Sequence, residues 1–164
     1  MYDFLKNANK IINDSILIDP EVEWHPDGKI IFFTSDINGK PQIYKKSINK
    51  GKAKRITFDG SYNADANVSS DGQYLSLVHN AGNGHKIAVY SLKDKYLKVV
   101  SNGKLDEAPS FAPNNKMILF ASKKLHKGIL VATSNDGRIR KEIELSGENV
   151  REPICLIKIL IFGV

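Results

Sequence analysis

At 164 residues, with 41% hydrophobic and 26% charged side chains, the chain is long enough to bury a core and too apolar for wholesale disorder. Its net charge of +6 comes mostly from dispersed lysines, with few arginines and no basic run interleaved with aromatics. That pattern reads as a solvated surface and argues against a nucleic-acid groove. A single cysteine, Cys155, excludes a disulfide framework and a paired-cysteine metal site and reads as a small hydrophobe, and no apolar run reaches the ~18 residues needed to span a bilayer.

Residues 1–18 form an N-terminal extension. Asp3, Asn7, Asn9 and Asn13 interrupt any apolar signal-peptide core, and no small-residue cleavage site follows. The chain as written is therefore expected to stay in the cytoplasm. Phe4, Leu5, Ala8, Ile11 and Ile12 have helical spacing, which fits a short amphipathic helix; a frayed polar extension fits equally.

From residue 19 the chain repeats itself. Trp24-His25-Pro26-Asp27-Gly28 is matched by Val68-Ser69-Ser70-Asp71-Gly72 and by Phe111-Ala112-Pro113-Asn114-Asn115, at offsets of 44 and then 43 residues. Proline presets φ for the turn and glycine supplies positive φ, with Asn115 the next most tolerant residue of that region. A short apolar strand follows each turn, at 30–34, 74–78 and 117–121. A polar loop comes next, then an alternating strand at 42–45, 86–90 and 128–132, and a last strand at 54–57, 97–100 and 142–145. Apolar residues before the turns, such as Val22, Ala66 and Pro109, complete each unit. A period of about 40–45 residues holding four short strands is the signature of a propeller blade. The predicted fold is all-β: a partial β-propeller of about three four-stranded antiparallel blades over 19–153. Three blades do not close a ring, so open blade edges predict self-association. An apolar tail, 154–164, closes the chain.

The ordered run over 36–57, then Gly60-Ser61-Tyr62-Asn63-Ala64-Asp65-Ala66-Asn67-Val68-Ser69-Ser70-Asp71-Gly72, resembles the C-terminal propeller of the TolB family. Lys40-Pro41-Gln42-Ile43-Tyr44, Arg55-Ile56-Thr57-Phe58-Asp59-Gly60, Leu105-Asp106-Glu107-Ala108-Pro109-Ser110-Phe111-Ala112-Pro113 and Ser134-Asn135-Asp136-Gly137-Arg138 extend the likeness from about Glu21 to Pro153. After Pro153 the tail, beginning Ile154-Cys155-Leu156, departs from the family pattern. The resemblance implies an N-terminal α/β domain and a six-bladed propeller in full-length relatives, a periplasmic location, and a role in outer-membrane integrity and invagination at division. It further implies partners: a Pal-like lipoprotein and Tol complex proteins, bound through loops leading into the innermost strand of each blade. Here those loops supply Pro20, Glu21, Asn63, Ala64, Asp65, Asp106 and Glu107 as the candidate partner-binding residues. The other reading of Asp65 and Asp106 is as turn formers bonded to nearby backbone.

Glu21, Asp65 and Glu107 recur at inner positions and would draw a cation only inside a closed channel, so no metal is assigned. His79 and His85 flank a glycine-rich loop without a third ligand and read as polar loop residues. The chain contains no Gly-x-Ser-x-Gly elbow, His-Glu-x-x-His pair or phosphate loop. The expectation is a non-enzymatic interaction module without cofactor. Its rivals are the propeller lid of a prolyl-oligopeptidase-like serine peptidase, whose hydrolase domain would lie on another chain, and a non-functional remnant of a TolB gene.

Overall fold

The computed structural model describes residues 18–124 and 127–143. Twelve strands account for the regular structure of these residues, in three four-stranded antiparallel sheets and without a helix. Blade 1 holds β1 (Ile18–Trp24), β2 (Ile30–Ser35), β3 (Gln42–Ser47) and β4 (Lys54–Arg55). Blade 2 holds β5 (Tyr62–Val68), β6 (Tyr74–Asn80), β7 (Lys86–Ser91) and β8 (Tyr96–Val99). Blade 3 holds β9 (Glu107–Phe111), β10 (Met117–Lys124), β11 (Lys127–Ser134) and β12 (Arg140–Ile143). Each sheet is a simple meander in chain order. The sequence expectation of three four-stranded blades therefore holds. The expected N-terminal helix and the apolar tail with Cys155 lie outside the described residues.

The Pro-Asp-Gly turns do what their chemistry requires. Gly28 and Gly72 take φ of +67° and +69°, and Asn115 takes +56°. Asp27, Asp71 and Asn114 each accept a hydrogen bond from the backbone N–H two residues on, at 2.8–3.0 Å. The turns also lock neighbouring blades together. His25 Nε2 donates to the Gly72 carbonyl at 3.1 Å, and Ser70 N–H donates to Asn115 Oδ1 at 2.9 Å. A side chain at Gly72 would also collide with the His25 ring, since an added Cβ falls 2.5 Å from Nε2.

The middle sheet, blade 2, shows its two faces to two neighbours, so its strands are apolar on both sides. One face of blade 1 (Phe32, Ile43, Ile56) packs on Leu75, Leu77, Ala88 and Tyr90 of blade 2. The reverse face of blade 2 (Val78, Ile87, Val89, Val100) packs on Phe111, Ile118, Phe120 and Val131 of blade 3. Burial of a side chain such as Phe32 or Phe120 contributes about 1.5–3 kcal/mol. The other face of blade 1 carries Ile31, Phe33 and Tyr44, the repeat equivalents of Leu75, Leu77 and Ala88. Blade 1 thus repeats on that side the surface by which blade 2 meets blade 1.

Several boundaries differ from the sequence expectation, two of them with a visible cause. The last strand of blade 1 is only Lys54–Arg55, because Thr57 turns inward and its hydroxyl accepts the Ile43 N–H at 2.9 Å. Residues 19–21 and 62–65, expected in leading loops, lie inside β1 and β5, and Glu107, expected in the third, begins β9. The ladders there continue across bulges, with register shifts between Ile18 and Val22 and between Ala64 and Asn67.

Candidate interaction face

Antiparallel order places the starts of β1, β5 and β9 at one end of the blades, together with the β2–β3, β4–β5, β6–β7 and β8–β9 connections. The candidate residues gather at this end, but their side chains do different things.

Asn63 and Asp106 occupy the same position in blades 2 and 3 and are fully buried. Asn63 Nδ2 donates to Gln42 Oε1 at 2.9 Å and to the Asp59 carbonyl at 2.7 Å. Its Oδ1 accepts from His79 Nδ1 at 2.8 Å, which fixes the proton of that ring on Nδ1. Asp106 accepts from Ser101 Oγ and Gly103 N–H on one oxygen and from Ser122 Oγ on the other. The backbone N–H groups of both residues reach the preceding blade, at the Pro41 and His85 carbonyls. Asn63 thus ties β3 and the β4–β5 connection to β6, and Asp106 ties the β8–β9 connection to β10. The turn-former reading of Asp106 describes part of this set, since Gly103 is local and Ser122 is not.

Glu21 and Glu107 are exposed, Asp65 is half-buried and Ala64 is buried. Pro20 lies in β1, and its side chain is outside the described residues. Asp65 sits at the β5 bulge with φ of +53°, matched by Ala108 at +51° in β9. Its backbone N–H donates to Thr34 Oγ1 of blade 1 at 3.3 Å, and its carboxylate accepts from Ala108 N–H of blade 3. Burial raises the Asp65 carboxyl to about 6, and the negative charges of Glu21, Glu23 and Glu107 add to the effect while the Ala108 N–H opposes it. The bulges therefore bring Glu21, Asp65 and Glu107 from three blades into one acidic field. Beside it, Asn67 Nδ2 donates to Glu23 Oε1 at 3.1 Å and Asn67 Oδ1 accepts from Phe111 N–H at 3.0 Å, joining all three blades. Among the described residues no three His, Cys, Asp or Glu side chains are grouped to hold a metal ion.

Of the two histidines expected in a loop, His85 does lie in the β6–β7 connection, whereas His79 does not. His79 lies in β6, 5% exposed, and burial lowers its pKa. His85 stacks on Tyr62 at 4.9 Å with 15° between the rings. Sequence reasoning also missed the apolar part of this end. Phe58 is 69% exposed, Ile37 53% and Leu105 39%, all in connections at the end where the inner strands begin. The Arg55 guanidinium covers the Phe58 ring at 4.9 Å. The available signal was an aromatic placed among turn residues, Thr57-Phe58-Asp59-Gly60. Exposed apolar side chains on connections, at the same end of a rigid scaffold as the carboxylates, suit recognition of a protein surface.

A family model described as the TolB beta propeller domain matches residues 2–155. The Tol-Pal system proteins TolB of Xanthomonas oryzae pv. oryzae (strain PXO99A) and Xanthomonas campestris pv. campestris (strain B100) are each 46% identical over 105 residues, covering 63% of this chain and 24% of theirs. Among solved structures, TolB from Acinetobacter baumannii superposes with a TM-score of 0.79 at 40% identity, over 87% of this chain and 36% of that one. A putative TolB from Agrobacterium tumefaciens gives 0.74 at 17% identity, over 80% and 48%, a likeness of fold. The chain spans about a quarter of the length of these curated relatives.

Proposed function

The chain belongs to the TolB β-propeller family, and from that membership we propose that it acts as a non-catalytic protein–protein interaction module of the Tol–Pal system. Its partners on this reading are a Pal-like lipoprotein and Tol complex proteins, met in the periplasm, in support of outer-membrane integrity and invagination at division. The observation that carries the reading is the end face itself, where Glu21, Asp65 and Glu107 share one end of the blades with exposed Phe58, Ile37 and Leu105. Asn63 and Asp106 serve this face from within, by holding the connections in place. The peptidase-lid alternative has no residue of this chain in its favour.

Pull-down of Pal from a periplasmic extract tests the proposal. Enrichment over an unrelated propeller is expected, with loss of most of it in Phe58→Ala and Glu107→Lys proteins. Recovery equal to the unrelated propeller would refute it.

A further inference from the structure

The rim of the blades carries a second surface, at the opposite extreme of the sheet from the acidic field. Fourth strands lie farthest from the inner strands, so their outer edges face solvent whatever blades flank them. In blades 2 and 3 these strands begin in the same way. Tyr96 and Ile139 occupy equivalent positions and are 62% and 60% exposed. Two residues on, Lys98 and Lys141 are again equivalent and exposed, and among the described residues neither joins an ion pair. Arg138 adjoins Ile139, with its side chain 85% exposed and only a 3.5 Å contact to Asp136.

The turn of blade 3 that leads to Ile139 packs on the outer strand of blade 2, so both tips belong to one continuous rim. Thr133 Oγ1, fully buried, faces the Val100 carbonyl of blade 2 at 3.1 Å and the Ile139 carbonyl of blade 3 at 3.0 Å. An added Cβ at Gly137 would fall 3.2 Å from Val100 Cα, so the blade 3 turn rests directly on the outer strand of blade 2. The Ser134 hydroxyl first, then the Arg138 N–H and the charges of Arg138 and Lys98, hold the Asp136 carboxyl below its usual range, which places Lys98 near this turn. The rim pairs exposed apolar tips with cations.

We propose that this rim docks on an anionic lipid bilayer surface. Tyr96 and Ile139 enter the headgroup region, where a tyrosine ring is favoured. Lys98, Arg138 and Lys141 meet the lipid phosphates, each cation near such a surface adding to the attraction. The alternation of apolar and cationic groups selects lipid over nucleic acid. Ile139 offers neither a stacking face nor a hydrogen bond to a base, whereas both tips gain by leaving water.

Flotation of the chain with vesicles tests this. Vesicles of phosphatidylcholine containing one third phosphatidylglycerol are expected to carry the protein at low salt and to release it at high salt, and pure phosphatidylcholine is expected to leave it behind. The triple variant Lys98→Glu, Arg138→Glu, Lys141→Glu should weaken binding at least roughly a hundredfold. The pair Tyr96→Ser, Ile139→Ser should weaken it at least about tenfold. All five positions are exposed, and unchanged urea midpoints would confirm folding; the milder pair Lys98→Gln, Lys141→Gln replaces any variant whose midpoint falls. Equal flotation with both vesicle types, binding indifferent to charge reversal, or retention on duplex DNA without flotation would overturn the proposal.

Discussion

The junction between blades 1 and 2 and the junction between blades 2 and 3 solve one geometric problem with different chemistry. At the first, neutral Asn63 sits between an acceptor pair and a histidine, giving two hydrogen bonds and taking one. At the second, Asp106 is surrounded by donors alone: two hydroxyls and a backbone N–H. Position for position, His79 of the first set is Ser122 of the second. A buried amide needs partners of both kinds, whereas a buried carboxylate needs every neighbour to donate. The hub and its shell therefore change together, and exchanging the hub alone breaks either junction.

The largest effect is expected at the charged hub. Asp106→Ala strands three donors in a buried site and should cost about 4 kcal/mol, read as a fall in the urea unfolding midpoint. Asn63→Ala strands neutral groups and should cost about 2 kcal/mol. Equal losses would show that charge at the hub is immaterial.

Next comes the contrast between the bulges of β5 and β9. Asp65, raised to about 6 from 3.8, is ionised at pH 7 at the expense of the folded state. The folded protein takes up the proton before the unfolded chain does, so this unfavourable contribution disappears as pH falls from about 6 towards 4. Asp65→Asn keeps an acceptor for the Ala108 N–H and tolerates positive φ, and should stabilise the protein by about 2 kcal/mol at pH 7 and by almost nothing at pH 4. His79 works in the opposite sense. Its pKa is lowered by burial, so the unfolded chain protonates first and stability falls as pH drops through about 6.5. The Asp65→Asn protein should therefore lose stability on mild acidification more steeply than the parent, as urea midpoints between pH 7 and 5 would show. The smallest effect is expected at Ala108, whose φ of +51° strains a non-glycine residue. Ala108→Gly should gain about 0.5 kcal/mol, the relief of strain exceeding the added freedom of the unfolded chain.

What was readable in the sequence follows from the same contrast. The turns announce themselves because positive φ favours glycine or asparagine, here next to an aspartate or asparagine, and the strands after them are apolar on both faces. The bulges do not announce themselves. Ala108 adopts the left-handed region without any residue type that favours it, so β5 and β9 begin where sequence suggests loop. Asn63 and Asp106 look like surface polar residues because their partners His79 and Ser122 lie 16 positions away and carry no local signature. Exposed Phe58 counts as core by composition alone, and only its place in a connection reveals its exposure.

The blades are fastened at both ends, by His25 to Gly72 and Ser70 to Asn115 at the tight turns and through Asn63 and Asp106 at the other end. A sheet held by two clasps has no hinge about which to swing away from its neighbour. Loosening any one of them exposes the apolar faces of two sheets at once, so amide protons across a junction should exchange as a single cooperative block and not strand by strand.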